Sequence, residues 1–194
     1  MIVAITGTPG TGKTSVCKSK ALELEFMDLN TVIAEKSFYT GVDNKRGCFI
    51  ADLAKLKEYV RIVYEEKMRA KGERQKILLL IESHLAHFLS PDVAIVLRAN
   101  PSLLAGRLKQ RGFSTQKINE NVEAEVLDVI LVEAVELCEI VYEVDTSAKS
   151  IEEVASTVRE IIDAEMAGEK QQGKKLQEMR DKHKPGSVDW TEKS

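Results

Sequence analysis

The chain has 194 residues, 43% hydrophobic, 30% charged and only 5% aromatic, which suits one soluble α/β domain with a largely aliphatic core. Its 28 Lys and Arg against 31 Asp and Glu leave a formal charge of −3, which argues against a passive nucleic-acid binder and makes any RNA contact local or protein-mediated. Three dispersed cysteines, Cys17, Cys48 and Cys138, form no C-x-x-C pair, so neither a disulfide framework nor a four-cysteine zinc site is expected. Reduced thiols, no signal-peptide pattern and no apolar run of spanning length predict a cytoplasmic protein off the membrane.

In chain order, Ile2 to Ile5 reads as a buried strand stopped by Thr6-Gly7. A helix is expected from Lys13 to about Leu24, a short strand at Phe26-Met27-Asp28 and a helix from Leu29 to Lys36. Residues 37–50 carry many turn signals, including Thr40-Gly41, Asp43-Asn44 and Arg46-Gly47, and predict a mobile flap. Asp52 to Ala70 reads as an amphipathic helix with Leu53, Leu56, Val60 and Val63/Tyr64 on one face, ended by Lys71-Gly72. Ile77 to Ile81 and Val93 to Leu97 are aliphatic runs that predict central strands. Asn100 caps a helix with Pro101 at its first position, running to Arg111-Gly112. Gln116 to about Glu139 reads as the longest helix, with Ile118, Val122, Val126, Val129/Ile130 and Leu137 inward. Ile140 to Val144 is the last strand, and Ser150 with Glu153 forms a capping box for a final helix. Alternating strands and helices imply a mostly parallel sheet covered on both faces. From Gly168 the chain turns charged, which predicts a frayed helix and a tail, either disordered or a docking peptide around Trp190.

The segment Gly7-Thr8-Pro9-Gly10-Thr11-Gly12-Lys13-Thr14 fits the full P-loop pattern, and it follows a strand and opens a helix. Its glycines allow successive backbone N–H groups to turn inward as an anion nest. Lys13 supplies charge for the β- and γ-phosphates, the Thr14 hydroxyl ligates Mg²⁺, and Ser15 reaches the α-phosphate. Glu82, ending the strand Ile77 to Ile81, provides the partner carboxylate that holds Mg²⁺ through water. His84 two residues on either orients a water or phosphate as a neutral imidazole or is a hydrogen-bonded turn residue. Arg107 and Arg111 share a helix face. Arg111, at the hinge made by Gly112, is the candidate for positive charge arriving late on the transferred phosphoryl group. Arg107, Lys109 and Lys117 read as a solvated basic face. The lid, about residues 110–120, has no cysteines.

Several of these segments together resemble one family, the atypical adenylate kinases of archaea and eukaryotic nuclei, which also serve ribosome maturation. The segments are the P-loop with Ile5-Thr6, Tyr39-Thr40-Gly41 with the later Asp52, Glu82-Ser83-His84, and Val96-Leu97-Arg98. The most specific runs from Arg107-Leu108-Lys109-Gln110-Arg111-Gly112-Phe113 to Glu120-Asn121-Val122-Glu123-Ala124-Glu125. The likeness covers roughly residues 1–162. It implies a P-loop NTPase of nucleoside-monophosphate-kinase type: a five-stranded parallel sheet with helices on both faces, a kinase domain over residues 1–167, and a charged tail over 168–194. By the same resemblance, Gly10, Gly12, Lys13, Thr14, Ser15, Arg111 and Lys149 hold ATP. Lys13, Arg111 and His84 are catalytic, and Thr14 and Glu82 serve Mg²⁺. The flap of about 28–51, with Asp28, Tyr39 and Asp52, takes the monophosphate. The family usually has Asp where this chain has Glu82, so the Mg²⁺ water network must adjust to an extra methylene.

The activity expected is ATP + AMP ⇌ 2 ADP with ATP hydrolysis, alongside binding to ribosomal protein uS11 and the pre-30S particle during small-subunit maturation. An ATPase assembly factor with little kinase turnover, or a small-metabolite kinase of the same fold, are the alternatives. A GTPase is disfavoured because Asn44-Lys45-Arg46-Gly47 lacks the Asp of a guanine selector.

Overall fold

The structure, a computed structural model, describes residues 1–43, 48–71 and 76–190. The expected turns at 44–47 and the helix stop at Gly72 lie outside them. Five strands build the sheet: β1 (Ile2–Thr6), β2 (Phe26–Asp28), β5 (Leu79–Glu82), β6 (Val93–Arg98) and β7 (Val141–Asp145). Their order is β2-β5-β1-β6-β7 and every pairing is parallel.

The three central strands, β1, β5 and β6, are mainly aliphatic because both faces of the sheet are covered. Val3 and Ile5, with Val93, Ile95 and Leu97, pack on one face against α1 (Lys13–Cys17) and α7 (Ile151–Ala167). Ala4, Leu79 and Ile81 face the other way, against α2 (Leu29–Glu35) and α3 (Leu53–Lys71). Ala94 and Val96 meet α6 (Val129–Leu137). The parallel pairing brings the C-terminal ends of the strands, where the phosphate loop, Glu82 and Arg98 sit, to one rim of the sheet.

Several expectations are corrected. The first helix stops at Cys17 rather than Leu24: the Ser19 hydroxyl accepts from the Ala21 N–H at 3.2 Å, and Glu23 takes φ 48°, so the chain turns back on itself. The flap contains a hairpin, β3 (Tyr39–Asp43) antiparallel to β4 (Cys48–Ala51), with the Tyr39 and Phe49 rings stacked at 4.3 Å. Leu53 lies at the exposed edge of its helix while Leu56 and Val60 are buried.

The helix expected over 116–139 is two, α5 (Thr115–Val126) and α6, broken at Asp128 with φ 55°. The Asp128 carboxylate turns inward to the Arg98 guanidinium, which explains the break. Val129 and Leu137 consequently face solvent. The segment expected as a short lid, about residues 110–120, contains a single tight turn between two helices. Helix α4 (Pro101–Gln110) ends on Arg111, Gly112 turns at φ 76°, and the Ser114 side chain caps α5 directly.

The C-terminal region is not a loose tail. It forms α8 (Glu169–Lys182), and Leu176, His183 and Trp190 are buried against the domain. Among the described residues no helix is long and apolar enough to cross a membrane.

Candidate active site

The phosphate loop joins β1 to α1, and its shape requires glycine at two positions for different reasons. Gly7 has φ 132°, and a Cβ there would lie 2.3 Å from the Leu97 carbonyl oxygen, so the loop can leave the sheet only without a side chain. Gly10 has φ 97°, and a Cβ would lie 2.8 Å from Leu104 Cδ1 and 3.0 Å from Leu108 Cδ2, so the loop rests directly on α4.

Internal bonds hold the curve. Thr11 Oγ1 donates to the Thr8 carbonyl at 2.9 Å, and Thr146 Oγ1 donates to the Thr11 carbonyl at 3.1 Å. Lys13 Nζ donates to the Gly7 carbonyl at 2.8 Å and the Thr8 carbonyl at 3.2 Å, arching its ammonium over the loop. Burial lowers the Lys13 pKa to about 8, against the pull of Glu82. The ammonium form still dominates at pH 7, and it is weakly solvated and available to an anion.

Thr14 Oγ1 donates to Glu82 Oε2 at 3.0 Å. Glu82 is 1% exposed, and burial raises its pKa while Lys13 and Thr14 oppose the rise. A hydroxyl and a carboxylate side by side are the hard oxygen donors that suit Mg²⁺, so this pair fits the ion. His84 stands at the same rim, and burial with the nearby Lys13 charge lowers its pKa to about 4, so it is a neutral imidazole at pH 7.

One cavity of about 580 Å³ collects Gly10, Gly12, Lys13, Thr14, Ser15, Glu82, His84, Arg111 and Lys149. These nine are the residues expected to serve ATP, metal and catalysis. Arg111 lies at the end of α4 with its guanidinium carbon 5.8 Å from the Phe113 ring centre, and its charge reaches Lys13.

The three residues expected to touch the monophosphate do not line this cavity. Asp28 caps α2, accepting from the Asn30 N–H at 2.9 Å; it pairs in register with Glu82, which feels its charge. Asp52 caps α3, accepting from the Lys55 N–H at 3.1 Å. Tyr39 is engaged with Phe49 in the hairpin.

Other residues at the site escaped sequence reasoning. Arg107, read above as a solvated residue, reaches the Gly10 carbonyl and Thr146 Oγ1, each at 3.4 Å. Its four-residue spacing from Arg111 was the available signal. Asn30 also borders the cavity.

Behind the loop lies a buried ionic cluster. Arg98, 1% exposed, donates from Nε to Glu125 Oε1 at 2.8 Å and from Nη1 to Glu143 Oε1 at 2.5 Å, and reaches Asp128. Glu125 accepts in turn from the Thr8 hydroxyl of the loop. His87 bridges Thr6 Oγ1 at 3.0 Å and Glu133 Oε2 at 3.2 Å under the same strand. No local pattern announces these partners, because they are 25 or more positions apart in the chain.

Residues 3–128 match the family described as AAA domain. The chain is 44% identical to "Putative adenylate kinase" of Methanosarcina barkeri, across 98% of this chain and 97% of that protein. It is 42% identical to the protein of the same name in Archaeoglobus fulgidus, across 98% and 92%. A solved shikimate kinase from Acinetobacter baumannii, in complex with shikimate, aligns at TM-score 0.52 and 15% identity over 83% of this chain and 92% of that one, which shows a common fold. With family resemblance along nearly its whole length and a complete phosphate loop at its first turn, the chain belongs to the family of archaeal P-loop proteins that carry the name "Putative adenylate kinase".

Proposed function

We propose that the protein is a nucleoside monophosphate kinase, transferring the γ-phosphoryl group of MgATP to AMP to give two ADP. The observation that carries this reading is the meeting of Lys13, Thr14, Glu82 and Arg111 in one cavity. Lys13 and the backbone N–H groups of 10–15 bind the phosphates. Thr14 and Glu82 hold Mg²⁺, whose bound charge offsets that of the phosphates. Arg111 approaches from the end of α4 to stabilise charge on the transferred group, and its arrival with the lid keeps water from competing. The flap, with Tyr39 on the hairpin and Asp28 and Asp52 fixing the ends of α2 and α3, shapes the acceptor side.

Hydrolysis of ATP is the second activity, and the neutral His84 imidazole beside Glu82 supports it, since it can orient a water without bringing charge. Action in late maturation of the small ribosomal subunit, through ribosomal protein uS11 and the pre-30S particle, is supported by the sequence resemblance. The chain's net charge of −3 favours a basic protein over bare RNA as the direct contact.

ADP formation from ATP is measured with and without AMP, across a panel of monophosphates, with purified uS11 present or absent. AMP is expected to raise ADP output well above hydrolysis. No increase with any monophosphate overturns the kinase reading.

A further inference from the structure

The C-terminal segment docks on the edge of the sheet remote from the flap. β7 is an edge strand, and the segment closes its open side: the Glu143 N–H donates to the His183 carbonyl at 2.7 Å. Beyond this, one carboxylate oxygen of Glu143 takes three donors from the segment. Ser187 N–H lies at 2.7 Å, Ser187 Oγ at 3.2 Å and Val188 N–H at 3.1 Å, all on Oε2. The other oxygen of Glu143 takes Arg98 Nη1.

From Arg98 the bonds continue to the phosphate loop. Arg98 Nε and the Ala99 N–H both donate to Glu125 Oε1, at 2.8 and 2.9 Å, while Glu125 Oε2 takes the Thr8 hydroxyl. The Thr8 carbonyl is one of the two oxygens that hold the Lys13 ammonium. Every member of the path from Glu143 to Thr8 is at most 2% exposed.

The charge balance makes this path a single unit. One guanidinium faces two buried carboxylates, Glu125 and Glu143, and a third, Asp128, whose side chain is 40% exposed to solvent. A buried cluster with surplus negative charge persists only while its remaining lone pairs are filled by neutral donors. Besides the Ala99 N–H on Glu125, donors come from opposite ends: the C-terminal segment on Glu143 and the loop hydroxyl on Glu125. Losing the donors at one end changes how Arg98 is shared between the carboxylates, and so alters the hold on the other.

We propose that the C-terminal segment from His183 to Trp190 is a positioning element of the phosphate loop, acting through Glu143, Arg98 and Glu125 on Thr8. The inference rests on the loop as a nucleotide site for its functional meaning, though its structural core does not need nucleotide. Reciprocity follows: a ligand that orders the loop tightens the docking of the segment, by the same factor that docking tightens the ligand.

The protein carries its own reporter, because its single tryptophan, Trp190, lies in the docked segment. The test uses the full chain with Ser187→Pro and Val188→Pro combined, which removes both N–H donors and the hydroxyl donor. Trp190 emission is expected to shift to the red as the segment leaves. Hydrogen exchange at the backbone amides of 7–14, measured without nucleotide, is expected to quicken about 5-fold or more, the low end of couplings between sites. The dissociation constant for ATP is expected to rise by a similar factor. Ser187→Ala keeps both N–H donors and should stay near wild type in all three readings.

A displaced Trp190 with amides 7–14 exchanging at the wild-type rate overturns the proposal. An unmoved Trp190 overturns it as well, since Glu143 would not be the anchor. Thr8→Val probes the path from the other end: faster exchange at Ser187 and Val188 is expected, and wild-type exchange there counts against the path. If the wild-type protein takes up no ATP, the kinase reading fails by itself, while the exchange experiment still decides the role of the segment.

Discussion

The two sides of the cleft are built on different principles. On the side proposed for the phosphate donor, the loop of residues 7–14 buries Gly7, Thr8, Thr11 and Lys13, is stitched by its own carbonyls and hydroxyls, and is backed by the Arg98 cluster. On the side proposed for the acceptor, the hairpin of β3 and β4 leaves Val42, Phe49 and Ile50 about half exposed and is tied to the domain mainly through Phe38, Tyr39 and Ala51. A preorganised anion site is rigid because its dipoles must already point at the charge. A cover that must admit a substrate is assembled from weakly packed elements. Substitutions on the donor side should therefore act on chemistry, and those at the flap's supports on stability.

The largest effect is expected at Lys13. Lys13→Ala should abolish both phosphoryl transfer and hydrolysis in an ADP-release assay, and wild-type turnover would break the assignment of the donor side. Arg111→Ala should lower kcat by about 10³, as removal of an arginine finger does. A change confined to KM would instead make Arg111 a ground-state binder and move it out of the chemistry.

At the flap's supports the expectation reverses. Asp28→Ala should cost about 1 kcal/mol in denaturant unfolding through the lost cap. Asp52→Ala should lower Tm in the same direction, with ATP affinity unchanged by calorimetry. A lost ATP affinity in Asp52→Ala would erase the distinction between the two sides.

The smallest effect concerns acid. Burial lowers the pKa of docked His183, so the docked state resists a proton that the free segment accepts. Its contribution to docking is therefore intact above about pH 6.5 and is lost as pH falls through the depressed value. Trp190 emission followed from pH 7.5 to 5 should move to the red, and His183→Gln should flatten that response.

Where chemistry is local, it could be read from the chain. Asn100-Pro101 marks a helix start because a side-chain acceptor and a residue without an N–H belong at that end, and Asn100 Oδ1 does accept from the Ser102 and Leu103 N–H groups. Ser150 with Glu153 forms the reciprocal box for the same reason. The phosphate loop is legible because its backbone shape restricts residue type position by position.

What could not be read depends on partners distant in the chain. The break at Asp128 serves Arg98, 30 positions earlier, and periodicity runs through it without a sign. The C-terminal segment reads as a frayed helix and a tail that is either disordered or a docking peptide around Trp190, and the choice turns on Leu176, His183 and Trp190 finding cover on the folded domain. Asp28 and Asp52 add a role the chain alone does not display: their carboxylates accept from backbone N–H groups at the starts of α2 and α3.

The contact of Gly10 with Leu104 and Leu108 also limits the travel of the lid. Because the loop touches α4 with no intervening layer, that helix is anchored as far as Leu108, and Arg111 lies only three residues further on. At about 1.5 Å of rise per helical residue, the lever that swings the guanidinium is roughly 5 Å long. On the role proposed for Arg111, a stroke this short opens for ATP without unseating the loop beneath the triphosphate.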